Sequence, residues 1–285
     1  METWFWTVGW FVSIMTITGN GFIFLVCSKR QLRTKTNAFV VSLAVADFCV
    51  GMSVVPSLFF CEKTNGCNWP RAWLSWVHLI RWLFDYTSVA NLCSLILDRY
   101  IAVVKPLKYL TVVTRCRVIQ IILLSWAIPL GLEILPVASL IFSTPFFFSI
   151  FLWLLMIFFE ILPCVTIILF FASIVRVAWK HNRAKSTLVK QLHFNHRVSF
   201  TSREKAAVKM MAIVIGLFLL CYGIFLRCTF LSLVDVQTQC NDVEFKIPVL
   251  VLNSGINPLA YAFFKRDIKK EIKGMIYLVI LKRHY

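Results

Sequence analysis

Seven long apolar runs constrain this chain more than any other feature of its sequence. They cover Trp4–Cys27, Ala38–Phe60, Leu74–Val103, Val118–Ile141, Phe146–Val177, Ala206–Val234 and Ile247–Phe264. Each is near or above the ~20 residues that a helix needs to cross a bilayer. The fourth and fifth are separated only by the turn signal Ser143-Thr144-Pro145. Lipid offers the backbone no partner, so runs of this length satisfy themselves as helices. The expected fold is an all-α integral membrane protein, a seven-transmembrane helix bundle over residues 1–275. At 59% hydrophobic and 15% charged residues, an ordinary soluble domain is excluded.

The net charge of +17 would suggest a nucleic-acid partner in a soluble protein, but here its distribution is topological. Of the 30 Lys and Arg residues, 24 lie in Lys29–Lys35, Lys105–Arg117, Arg176–Lys209 and Lys265–Arg283. In a seven-span chain those four segments fall on one side. The positive-inside rule makes that side cytoplasmic, so the N-terminus is expected outside and the C-terminus inside, at the plasma membrane and with no nucleic acid bound. Anionic lipid of the bilayer adds a second attraction for the same charges. The first run is too long for the apolar core of a signal peptide and reads as an anchor that stays. After Phe264, Lys265–Ile272 is basic and amphipathic, predicting a surface helix over about 265–275 and a short tail over 276–285.

Polar residues inside such runs need partners. Asn20 stands at mid-depth in the first, Asp47 inside the second, and the third ends in Asp98-Arg99-Tyr100. His78, Arg81, Asp85, Glu133, Glu160 and Arg227 place charge in the outer halves of spans. Cys61 with Cys67 and Cys228 with Cys240 lie near the outer face, where disulfides persist; spacing alone does not establish that they pair.

Gly19-Asn20, Leu43-Ala44-Val45-Ala46-Asp47, Asp98-Arg99-Tyr100, Trp126, Pro163, Phe218 with Cys221, and Asn257-Pro258-Leu259-Ala260-Tyr261 resemble the helix signatures of the rhodopsin-like G-protein-coupled receptors, in order and one per helix. The resemblance covers about residues 4 to 275. It implies a receptor that transmits binding of an extracellular ligand to a heterotrimeric G protein by helix rearrangement around Arg99, with arrestin as a further partner. It also implies a sodium ion held by Asp47 and Ser88 with Asn253, Ser254 and Asn257, beside Asn20, although a water-filled polar cluster is the alternative. In the family Arg99 is held by Asp98 and by an acid at the base of the sixth helix, which Glu204 matches, while Pro258 lets the seventh helix bend and carry Tyr261.

The chain departs from that pattern in several places. Leu74 stands where the family's outer disulfide begins, and Cys221-Tyr222-Gly223-Ile224 lacks the kinking proline. Phe171 replaces a tyrosine of the fifth helix. Arg81 occupies the position of the amine-binding aspartate, with Asp85 one turn deeper. Leu155, Met156 and Phe159 replace catechol-binding serines, which argues against a catecholamine. Val251 stands at the retinal lysine's position, so no covalent cofactor is expected. The candidate pocket is Arg81, Asp85, Glu133, Glu160, Tyr222 and Arg227. Either Arg81 and Asp85 neutralise each other, or Arg81 and Arg227 receive an anionic group while Asp85 or Glu160 receives a cationic one. A small molecule, a peptide and a lipid all remain open as ligands. Other readings are a seven-span accessory partner that signals little itself, or a transporter or channel. The sequence shows neither the repeats nor the broken helices expected of a transporter, and no nucleophile and base motif that would suggest an enzyme.

Overall fold

The computed structural model describes residues 3–63, 71–142, 150, 153–192, 212–224, 226–227, 231 and 243–282. Among them there is no strand. The helices are α1 (Thr3–Ser28), α2 (Lys35–Lys63), α3 (Arg71–Val104), α4 (Pro106–Val112), α5 (Arg115–Phe142), α6 (Leu162–Leu192), α7 (Ala212–Ile224), α8 (Val243–Phe264) and α9 (Arg266–Lys282). Each of the seven apolar runs supplies one helix. The two extra helices, α4 and α9, lie between or after them.

Prolines shape the ends and bends. Lys105 leaves the helical region because Pro106 follows it, which ends α3 and starts α4. Pro163 withholds the N–H that an α-helix would give to Phe159. The preceding turn, Met156–Ile161, accordingly adopts the wider π-helical register and buries Met156, Phe159 and Glu160. Pro248 and Pro258 both lie inside α8. Past Phe264 the chain turns by 84° between Ile247–Phe263 and Asp267–Met275. The expected surface helix is therefore longer than residues 265–275 and runs to Lys282, because Ile276–Leu281 continues the apolar pattern without a breaker. A Lys29–Glu271 ion pair at 2.5 Å ties α9 back to the end of α1.

One continuous apolar core, including Leu43, Ile96, Ile174, Phe218 and Tyr261, joins the helices, whereas Phe11, Leu25, Leu123 and Leu169 face outward as lipid contact requires. Without a hydrophobic drive between helices in lipid, close approach over small residues does the packing. At Gly51 the Ser13 hydroxyl of α1 donates to the backbone carbonyl of α2 at 2.5 Å. At Gly255 an added Cβ would sit 2.7 Å from Thr16 Oγ1 and 2.9 Å from Met15 Cε, so α8 and α1 touch nearly backbone to side chain. Gly255→Val is expected to destabilise the bundle by about 1–3 kcal/mol through overpacking. A lowered melting temperature of the detergent-solubilised protein is the readout; an unchanged one would mean that the two helices separate freely.

Candidate functional site

Three polar layers are stacked along α3. At mid-depth, Asp47 on α2 is completely buried, and each carboxylate oxygen has a donor. Ser88 on α3 gives its hydroxyl to Oδ1 at 2.5 Å, and Asn257 on α8 gives its amide to Oδ2 at 2.8 Å. Ser254 is buried in the same layer. Asn20 reaches across from α1 to the Ser254 carbonyl at 3.1 Å and to Thr16 at 2.9 Å, while its own Oδ1 is buried without a partner. It thus joins the layer through the backbone of α8. Asn253 is buried alongside. A carboxylate, hydroxyls and an unpartnered amide oxygen are the donor set that a small hard cation prefers.

At the C-terminal end of α3 Asp98 is buried and heavily committed. Tyr109 of α4 donates to its Oδ1 at 2.9 Å; Thr36 of α2 donates to Oδ2 at 3.0 Å, and Arg99 reaches Oδ2 through both Nε at 3.0 Å and a terminal nitrogen at 2.6 Å. That nitrogen also donates to Thr36. Such charge-assisted contacts are the strong ones. Burial raises the Tyr109 phenol pKa, keeping it a neutral donor. Nearby, Lys265 donates to Asn37, and burial together with the Arg99 charge lowers it to about 8. Arg99 lines a small cavity with Val214 and Ile215 of α7 and with Tyr261 of α8, so these helices close over it. The Tyr261 hydroxyl is buried without a hydrogen-bond partner.

Glu204 lies outside the described residues; the described contacts that hold Arg99 and Asp98 together are those with Thr36 and Tyr109. Tyr100 points elsewhere and stacks on Phe170 at 4.6 Å, packing α3 on α6. Thr36, Asn37, Tyr109 and Lys265 were not singled out as switch residues by the sequence. Their one signal is position, since each begins a helix or lies beside the end of one on the basic side.

The outer layer gathers acids and aromatic rings. Asp85 is buried and accepts the Tyr222 hydroxyl of α7 at 3.1 Å. Tyr86 stacks on Phe159 at 4.3 Å and on Trp82 at 5.8 Å; Tyr222 stacks on Phe218 at 4.4 Å. Glu133 and Glu160, both buried, lie within electrostatic reach of Tyr86, and Glu133 Oε1 has no hydrogen-bond partner. Arg81 directs its guanidinium over the Trp82 ring at 5.8 Å, close enough to feel Asp85 without an ion pair. Arg227 is exposed. The side chains of His78, Cys61, Cys67, Cys228 and Cys240 lie outside the described residues. A relay that the motifs did not reveal braces the middle of the bundle, from Trp126 Nε1 to Ser42 at 3.0 Å and from Ser42 to Asn91 at 2.7 Å.

The helical bundle thus holds an arginine beside a buried carboxylate at one end of α3, and buried acids among aromatic rings toward the other. The sequence model of the seven-transmembrane receptors of the rhodopsin family matches residues 19–261, and the chain belongs to that family, whose members are G-protein-coupled signalling receptors. Its similarity to individual relatives is modest. It is 28% identical to octopamine receptor beta-2R of Chilo suppressalis over 93% of this chain and 77% of the relative. Against trace amine-associated receptor 2 of Homo sapiens it is 28% identical over 92% and 80%. Adenosine receptor A2b of Mus musculus is 26% identical over 95% and 89%.

Proposed function

We propose that this receptor, with its N-terminus outside and its C-terminus in the cytoplasm of a plasma-membrane-bearing cell, takes a cationic extracellular ligand at Asp85 and signals to a heterotrimeric G protein by releasing Arg99, with arrestin as a second cytoplasmic partner. The observation that carries this reading is the Asp85–Tyr222 hydrogen bond, which ties α3 to α7 at the floor of the outer layer. Among the described residues, buried Asp85 and Glu133 have no ion-pair partner, and a protonated amine entering the layer would offset the cost of burying them. An ammonium group that took the Asp85 carboxylate would compete with Tyr222. Loss of that bond removes one tie between α3 and α7, whose Val214 and Ile215 cover Arg99 at the other end. The octopamine and trace-amine names of two relatives support an amine. The Asp47 layer has the oxygen donors to hold sodium, with Asp47 and Ser88 as ligands, and a cation there would favour the closed packing.

The test is a panel of arylalkylamines, octopamine included, applied to cells expressing wild type, Asp85→Asn or Arg81→Gln and read as G-protein activation. Asp85→Asn is expected to lower agonist potency at least 100-fold, in keeping with the roughly 3–5 kcal/mol lost when one partner of a buried pair is removed. Activation that needs Arg81 and survives Asp85→Asn would instead assign an anionic ligand.

A further inference from the structure

Away from both the switch and the outer pocket, a cleft of about 550 Å³ opens between the cytoplasmic ends of α1, α2 and α5, within the size range of real ligand sites. Arg33, Lys35 and Arg115 stand on its rim, Ala38, Val41 and Ile122 form part of its apolar wall, and no acidic residue lines it. Lys35 is committed, since its ammonium donates to the Val113 carbonyl. Arg33 and Arg115 are exposed and make no ion pair among the described residues. Ile119, on the same stretch of α5, is 58% exposed and continues the apolar wall outward onto the lipid-facing surface.

We propose that this cleft binds one anionic glycerophospholipid of the cytoplasmic leaflet. Two unpaired guanidiniums at the mouth suit a phosphate diester, because the planar fork donates two parallel hydrogen bonds to phosphate oxygens. The apolar wall behind them suits the first part of an acyl chain, and its continuity with the outer surface lets the rest of the lipid remain in the bilayer. A soluble phosphate would use the rim alone and leave the wall wet. The inference rests on the membrane orientation proposed above and is independent of which ligand acts outside.

Native mass spectrometry of the purified full-length receptor in detergent, titrated with phosphatidylserine or phosphatidylcholine, tests the proposal without assuming the orientation. Wild type is expected to retain phosphatidylserine at least fivefold over phosphatidylcholine. Arg33→Gln with Arg115→Gln is expected to remove that preference. Lys269→Gln with Lys270→Gln, which takes the same charge from exposed positions on α9, is expected to leave it intact. Equal retention of the two lipids overturns the site, as does an equal loss in the α9 control, which would mean diffuse attraction. Displacement of the lipid by excess glycerophosphoserine would also overturn it, leaving a phosphate site with no use for the wall. Loss of ligand response with lipid retention unchanged would count against the amine reading alone.

Discussion

Asp98→Asn is expected to raise ligand-independent G-protein activation by roughly 10- to 100-fold, and Arg99→Ala to abolish it. The physical account begins with the number of donors on one carboxylate. Tyr109, Thr36 and two nitrogens of Arg99 converge on Asp98, drawing α2, α3 and α4 together. A hydrogen bond to a charged group contributes about 1.5–3 kcal/mol, roughly twice a neutral one. The amide keeps the shape but loses the charge and replaces one acceptor oxygen by a donor that faces other donors. A loss of about 1.4–2.8 kcal/mol from the closed packing alone shifts the closed-to-open equilibrium by one to two decades. Arg99→Ala also breaks the latch, but it removes the side chain that the open state would present, so latch release without signal separates the two roles. Nucleotide exchange on membranes normalised to surface receptor reads both variants. Equal basal activity in wild type and Asp98→Asn would mean that these contacts position the loop helix and do not hold the switch.

The second large effect is expected at Asp47. Asp47→Ala strands the Ser88 hydroxyl and the Asn257 amide inside the bundle and removes the carboxylate that both donate to. An unsatisfied buried group costs about 1–3 kcal/mol, so two of them should lower the melting temperature by several degrees. If Asp47 and Ser88 hold sodium, replacing choline chloride by sodium chloride at constant ionic strength should reduce basal nucleotide exchange in wild type and have no effect in Asp47→Ala or Ser88→Ala. A sodium response that survives in both variants would place the ion elsewhere or make it an effect of the G protein itself.

The spans and their order were legible because each is a local property. An apolar run such as Val118–Ile141 has only one way to satisfy its backbone in lipid. The motif residues are legible too, since the resemblance groups Asp47, Ser88 and Asn257, and the structure brings them into contact. Partners distant in sequence were less legible. Arg99 meets its neighbour Asp98 as the resemblance implies, Glu204 lies outside the described residues, and the further contact to Thr36 is one that no motif marks. Four residues apart on one helix, Asp85 and Arg81 look like neighbours that neutralise each other. In the structure Asp85 turns to Tyr222, 137 residues away in sequence.

Sequence alone determined that this chain is a bundle of membrane helices, which side of it is basic, and which rare polar residues must find company inside. Those follow from the cost of bare backbone and charge in hydrocarbon, which is set residue by residue. Only the tertiary structure decided which polar groups meet, that Gly255 is a contact point, that α9 continues to Lys282, and that Arg33 and Arg115 flank one cleft. Those depend on the rotation and tilt of helices about one another, settled by packing across the whole bundle and written in no single stretch of it.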